Sequence, residues 1–406
     1  MENLLNINLS ETRSTVINWP NELRQIVDGY RSYRSVSHGV QKDAVQNSWD
    51  ARIDKLSAKN WRLEFEIIES KGVTLFLFVD QGTTGLTGRV LSAEELEVDL
   101  PIEERWGRFE NVAFTKEPSE KALGARGRGK FIFLGASKYR GRTNDDKVIQ
   151  NLILYDTLRK DGTYRFGFRT ITTTESPIHA FEANDARERL KAFTKGLVRP
   201  LENVGTRVII VDPIDELISD VRSGRFSNFI EETWWQIIKS QNCSIQVKIG
   251  NKIQQAGLLP YYDFPTKDTK RFKIWKKDNV KLPGAPTYKV KNLLIAYDAD
   301  REVSEEIQGI ALQRGGMKVC SLPTRYVEKS IANSIYGYID FDEALEEKLR
   351  EDEGPEHYSF DFKKVIPRLV KQFVEEESDK FFREKPGISI GMKPQTLEKS
   401  RSAEVK

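Results

Sequence analysis

The sequence predicts an α+β chain in four parts. An α/β sandwich spans residues 1–215, its sheet mixed but mostly antiparallel and its helices on one face. A second α/β unit spans 216–345, a charged helical segment 346–385 and a disordered polar tail 386–406. Three observations predict this. Short runs of branched and aromatic residues alternate with turn signals, as strands do. Apolar stripes at helical spacing lie between and after them. The composition, 38% hydrophobic and 31% charged, is that of a globular chain with a charged surface.

In chain order, Asn18 to Asn21 reads as a cap opening a short helix over Glu22 to Tyr30. A second helix is entered near Ser37 to Gly39 and carries Asp43, Asn47, Asp50 and Asp54, spaced four, three and four apart, so the four share one face. Such a face holds something polar or is merely solvated. Asn60 to Ile68 alternates as a strand, and Thr74 to Val79 is the apolar run of a buried strand ending in Asp80. Gly82, Gly85 and Gly88 follow, residues that permit positive backbone dihedrals and close approach of a ligand, or simply a surface turn. Residues 88–123 are long, polar and weakly periodic, the mark of a lid. Gly124 to Lys130 then runs into the apolar stretch from Phe131 to Leu134. A glycine-rich loop opening a helix seats phosphate on free amides, and Arg126, Arg128 and Lys130 add charge there.

Further strands are expected at Val148 to Asp156, Thr163 to Thr172 and Gly205 to Val211. Beyond residue 216, Phe226, Phe229, Ile230, Trp234, Ile237 and Ile238 mark a core helix. Strands are predicted at Ser244 to Ile249, Arg271 to Trp275, Lys289 to Tyr297, Ile307 to Leu312 and Ile335 to Phe341. Gln313, Arg314 and Lys318 flank the pair Gly315 and Gly316, which also reads as a hairpin turn with solvated ends. Val365, Ile366, Leu369, Val370 and Phe373 form the stripe of a C-terminal helix.

Composition excludes several chemistries. The 64 basic and 61 acidic residues leave a net charge of +3, too small to argue for nucleic acid. Cys243 and Cys320 alone build neither a disulfide framework nor a cysteine zinc site, and His38, His179 and His357 show no ligand spacing. With no secretory leader pattern and no apolar run of about 18 residues, the expectation is a cytoplasmic protein without a membrane partner.

Asn47 with Asp50, then Asp80 and Gly82, then Gly124, Gly127 and Gly129, then Gly205 and Thr206, occur in the order of four boxes. In that order they resemble the GHKL ATPases: DNA gyrase B subunit, the large heat-shock chaperone, histidine kinases and MutL. The resemblance implies a Bergerat-type nucleotide fold with ATP and magnesium as ligands, followed by a transducer-like domain. It implies that Asn47 coordinates magnesium, that Asp80 accepts from the adenine amino group with Thr206 in support, and that Gly82 and Gly85 admit adenine and ribose. Gly127, Gly129 and Lys130 would cradle the terminal phosphates. Gln313, Arg314 and Lys318 would be the groups that the second domain sends to the γ-phosphate. The family's catalytic glutamate position holds Asp43, one methylene shorter, and the second box is one residue longer than the usual spacing. Lys130 also nearly completes a P-loop, but Phe131 stands where that motif holds magnesium with serine or threonine.

The implied function is a slow ATP hydrolase that dimerises on binding ATP and acts on a protein partner or effector. Its layout is nearest to chaperone-like and MORC- or MutL-like bacterial proteins of DNA metabolism or phage defence. Arg140 and Arg142 are the local basic pair for DNA, against a plain solvated surface. The alternatives are a nucleotide-binding module without turnover and a chaperone-like protein. A histidine kinase fits poorly, since only His38 precedes the site.

Overall fold

Asn18 accepts a hydrogen bond from the Asn21 amide at 3.2 Å, and with Pro20 in the first turn this starts α1 (Trp19–Tyr33) where the sequence predicts. Ser35 caps α2 (Val36–Ala51) through the His38 amide, a few residues earlier than expected. The computed structural model describes residues 17–53, 60–70, 72–92, 95, 100–101, 103–111, 129–142, 146–241, 243–324, 329–354 and 356–385. Gly124, Arg126, Gly127, Arg128 and Asp54 lie outside them, as does the expected tail.

The chain is mixed α and β. After α2 come β1 (Arg62–Ser70), β2 (Val73–Gln81), α3 (Arg105–Glu110), α4 (Gly129–Gly135), β3 (Arg140–Arg142), β4 (Val148–Leu158), β5 (Tyr164–Ile171) and β6 (Ile178–Glu182). Then follow α5 (Ala183–Phe193), β7 (Gly205–Val211), α6 (Asp215–Arg222), α7 (Arg225–Gln241), β8 (Ser244–Ile249) and β9 (Lys252–Gln255). These strands form one sheet in the order β6-β5-β4-β7-β2-β1-β8-β9, with β3 beside β4. Every pairing is antiparallel except β1 with β8, where Leu63 lies opposite Ile245.

Two expectations change here. β8 and β9 belong to the first sheet although they follow residue 215, so the sheet draws on both sides of the expected boundary. The helices are not confined to one face either. Phe65, Phe76 and Phe78 on one side of β1 and β2 pack with Phe226 of α7 and Phe133 of α4. Leu75 and Leu77, alternating to the other side, pack with Ala186 and Leu190 of α5. Both faces of β2 are apolar, so both must be covered.

The second sheet has the order β10-β11-β14-β12-β13, built from β10 (Phe272–Leu282), β11 (Ala285–Asp298), β12 (Gly309–Arg314), β13 (Met317–Leu322) and β14 (Ile335–Phe341). The four-residue α8 (Lys329–Ala332) precedes β14, and α9 (Glu343–Glu351) and α10 (Val365–Glu384) close the chain. Ile366, Val370 and Phe373 of the predicted stripe are buried, while Val365 is exposed. One apolar core runs from α1, α2 and the first sheet through α7 into the second sheet and α10. The helix α7 departs from helical geometry at Trp234, whose indole donates to Gln41 of α2 at 3.1 Å. α7 packs in turn on β13, so α2 reaches the second sheet through α7.

Candidate functional site

Every residue of α2 from Val36 to Gln46 is buried, as are Ser48 and Trp49; Asn47 between them is exposed. A helix enclosed on all sides that presents one amide to the outside is not a solvated charged face. Asp50 is half-buried. The loop after β2 docks on the end of this helix, with the Thr84 amide donating to Ala51 at 3.0 Å and the Ile53 amide donating to Gly82 at 2.9 Å.

That docking brings Asp80 to Ser48, one residue from Asn47. Asp80 is buried, and its Oδ1 accepts from the Thr206 amide at 2.8 Å and from the Thr83 hydroxyl at 2.5 Å. Ser48, itself held by the Trp61 indole at 2.8 Å, also hydrogen-bonds to this carboxyl. Thr206 reaches it because β7 pairs with β2 at Arg207 opposite Val79. Gly205 is required beside it: a Cβ there would stand 2.0 Å from the Asp80 carbonyl. Burial pushes the Asp80 carboxyl up to about 6, against the hydrogen bonds from Thr83, Thr206 and Ser48. A raised acid binds its proton more tightly when folded. The contribution of Asp80 to stability is therefore fully present below its ordinary value of 3.8 and is lost as pH rises through about 6.

Gly82 and Gly85 hold positive φ, 73° and 68°. A Cβ would meet the Asn60 carbonyl at 2.3 Å in the first case and the Thr157 hydroxyl at 2.7 Å in the second. On that side of each glycine the space is filled by protein rather than left for a ring, so packing and the turn already account for both.

One turn before Asn47, Asp43 is 4% exposed. Its Oδ2 accepts from the Tyr30 hydroxyl at 2.6 Å, and its Oδ1 faces Gly129, where a Cβ would lie 2.4 Å away. Burial pushes the Asp43 carboxyl up, against the neighbouring His357, the Tyr30 hydrogen bond and Lys42. Lys130, the next residue of α4, is turned elsewhere. It is buried, and its Nζ donates to the carbonyls of Arg108 and Asn111 at the end of α3. Burial, with Arg169 nearby, holds its amine well below the ordinary range. Part of the expected irregular segment is thus the short helix α3, gripped by Lys130.

The three groups expected to come from the second sheet do not converge on Asn47. Gln313 is fully buried, and among the described residues neither end of its amide has a hydrogen-bond partner. Arg314 is 2% exposed and pairs through Nε with Oε2 of Glu353. Although burial alone would raise it, Arg314 and His357 hold the Glu353 carboxyl at about 2. Lys318 donates to the Glu306 carbonyl, and burial pushes its amine down to about 8. The turn at Gly315 and Gly316 is a hairpin, as read, but Gln313 and Arg314 on its first strand are buried rather than solvated, while Lys318 on the second is half-buried.

Asp43 is instead approached by the loop between α9 and α10. Lys42 is buried, donates to the His357 carbonyl and lies 4.3 Å from the centre of the Tyr358 ring. Burial pushes its amine down to about 7, opposed by Glu353 and Asp43. His357 bonds to Glu353 at 2.8 Å through Nδ1. Nothing local in the sequence points to Tyr30, Thr83 or His357 as part of this arrangement, whereas Lys42 and Ser48 adjoin Asp43 and Asn47. A hollow of about 390 Å³ is lined by Arg62, Leu63 and Glu64 of β1, Val79 and Gln81 of β2, and Ser244 and Gln246 of β8.

No protein-family model and no curated protein sequence matches this chain.

Proposed function

We propose that the chain binds ATP with magnesium on a Bergerat-type fold and hydrolyses it slowly, as a switch between nucleotide states that drives dimerisation and is read by a protein partner. The observation that carries the reading is Asn47, the exposed side chain on the enclosed run of α2, standing next to Ser48, which holds Asp80. An amide oxygen able to ligate a cation thus stands one residue along α2 from Ser48, whose hydroxyl meets the buried carboxyl of Asp80 on β2.

The residues fit magnesium as a partner of phosphate. Among the described residues no group of three or more His, Cys, Asp or Glu is placed to hold a metal. Asn47 offers one hard oxygen, and an ion held by a single side chain takes phosphate oxygens and water for the rest of its shell. When bound, magnesium would neutralise charge on the phosphates. Asp80, its Oδ1 oriented by Thr206 and Thr83, would receive the adenine amino group. Asp43, with Oδ2 held by Tyr30, would orient water and take its proton. The enclosed helix α2 would carry the change to α7 through Gln41 and to the α9–α10 loop through Lys42.

A calorimetric titration of the full chain with a non-hydrolysable ATP analogue tests this. Wild type is expected to bind micromolar or tighter only with magnesium, and Asn47→Ala is expected to lose at least about tenfold in affinity, about 1.4 kcal/mol, together with the metal dependence. Absence of binding by wild type overturns the reading. The raised carboxyl adds a pH signature. Donation from adenine favours ionised Asp80, so affinity is expected to fall as pH drops through about 6, by up to about tenfold per unit. The same titration run from roughly pH 5 to 8 checks it, and a flat profile contradicts the role of Asp80.

The burial of Asp43 favours a second reading, a pocket that binds without turnover. A measured turnover number separates the two.

A further inference from the structure

Tyr30 stands on α1, thirteen residues before Asp43, and is 1% exposed. Its ring crosses α2 at Gly39, where a Cβ would lie 2.4 Å from Cδ1, so only glycine lets it through. On its far side Tyr358 meets it edge-on, 6.1 Å between ring centres, and Tyr358 is itself fixed by stacking on Tyr33 and by a 2.5 Å hydrogen bond to His38. A ring held between α2 and the α9–α10 loop has no freedom to swing away. Its hydroxyl therefore meets one defined carboxylate oxygen, Oδ2 of Asp43, at 2.6 Å, and leaves Oδ1 turned to Gly129 at the start of α4.

We infer that Tyr30 is a positioning residue for hydrolysis: it occupies one oxygen of Asp43 and thereby aims the other at the nucleotide. The inference rests on the nucleotide reading above and concerns its chemical step alone. A carboxylate on a short stem reaches water only from a narrow range of side-chain angles, and a buried hydrogen bond from a locked phenol selects that range. Tyr30 touches neither substrate nor metal in this account; it acts through Asp43. Its place on α1, packed against the C-terminal loop, also makes the aim of Asp43 depend on that loop being docked.

The test compares wild type, Tyr30→Phe, Asp43→Ala and the double variant as full-length chains. It measures kcat for ATP, Kd for the non-hydrolysable analogue and melting temperature. Phenylalanine keeps the ring contacts with Gly39 and Tyr358 and removes the hydroxyl. The expected result is a kcat lowered at least tenfold with Kd unchanged within twofold, and no further loss when Tyr30→Phe is added to Asp43→Ala. Tyr261→Phe, in the separate apolar cluster against β10 and β11, is expected to match wild type. If Tyr30→Phe does not fold, 3-fluorotyrosine at position 30 keeps the ring and strengthens the donor. It is then expected to lower kcat at least twofold at constant Kd, since a more strongly bound carboxylate is a weaker base. A kcat that neither substitution moves, or an equal loss in the Asp43→Ala background, overturns the positioning role and leaves the nucleotide reading standing. A wild-type chain that binds no nucleotide overturns both.

Discussion

Asp80→Asn is expected to abolish nucleotide binding while leaving the fold nearly unchanged. The amide oxygen of asparagine can still accept from the Thr206 amide and the Thr83 hydroxyl, which hold the native carboxyl at 2.8 and 2.5 Å. What it would lose is the acceptor-only group proposed to receive the purine amino group. A site built to pair a polar substituent discriminates strongly once that pairing is spoiled, so affinity is expected to fall at least about a hundredfold, about 2.8 kcal/mol. Melting temperature and analogue titration on the same sample check it. A variant that binds as wild type does would remove Asp80 from the site. One that fails to fold would make the residue structural.

Arg314→Ala is the second large effect, and it separates two accounts of this side chain. As a phosphate-contacting residue, which its neighbourhood of glycines suggests, its loss would fall on turnover. As the structure has it, Arg314 and Glu353 are buried with side chains 3% and 2% exposed, and the arginine is half of an ion pair. Truncating one partner leaves the other charge buried without its counterion, which typically costs about 3–5 kcal/mol. The expected outcome is a stability loss of that size in urea unfolding. Replacing both residues by methionine is expected to recover most of it, because two well-packed apolar side chains need no solvation. A fully stable Arg314→Ala with turnover lost would instead return the residue to the phosphate.

The difference between these accounts shows what local sequence carries. The run Thr74 to Val79, closed by Asp80, names its own strand because burial on both faces leaves an unbroken apolar stretch. Asn47 is legible from its spacing to Asp43 and Asp50. The fate of Arg314 is not: its partner Glu353 lies 39 residues on, and a long polar side chain beside a glycine turn reads as solvated until that partner is known. The same limit hides β8, whose alternation marks a strand but whose neighbour β1 lies about 180 residues earlier, so the sheet it joins is invisible to any local pattern. Lys130 was readable as a cation beside a glycine loop. That it grips the carbonyls ending α3 depends on a polar segment with weak periodicity.

The aromatic and ionic contacts around Asp43 follow from the same long-range closure. Tyr30, Lys42 and His357 belong to three parts of the chain, and the buried helix α2 brings them together. Arg314 of β12 reaches the same place through Glu353, His357 and Lys42, so the second sheet is linked to α2 by a chain of buried polar contacts.

ATP turnover by the purified full-length chain, measured with magnesium beside its molar mass by light scattering with and without the non-hydrolysable analogue, tests the central claim most directly. Wild type is predicted to turn over slowly, to gain a dimer with the analogue, and to lose turnover in Asp43→Ala while still binding. A wild-type chain that shows no turnover and keeps one mass with and without analogue, or an Asp43→Ala variant as active as wild type, would contradict it.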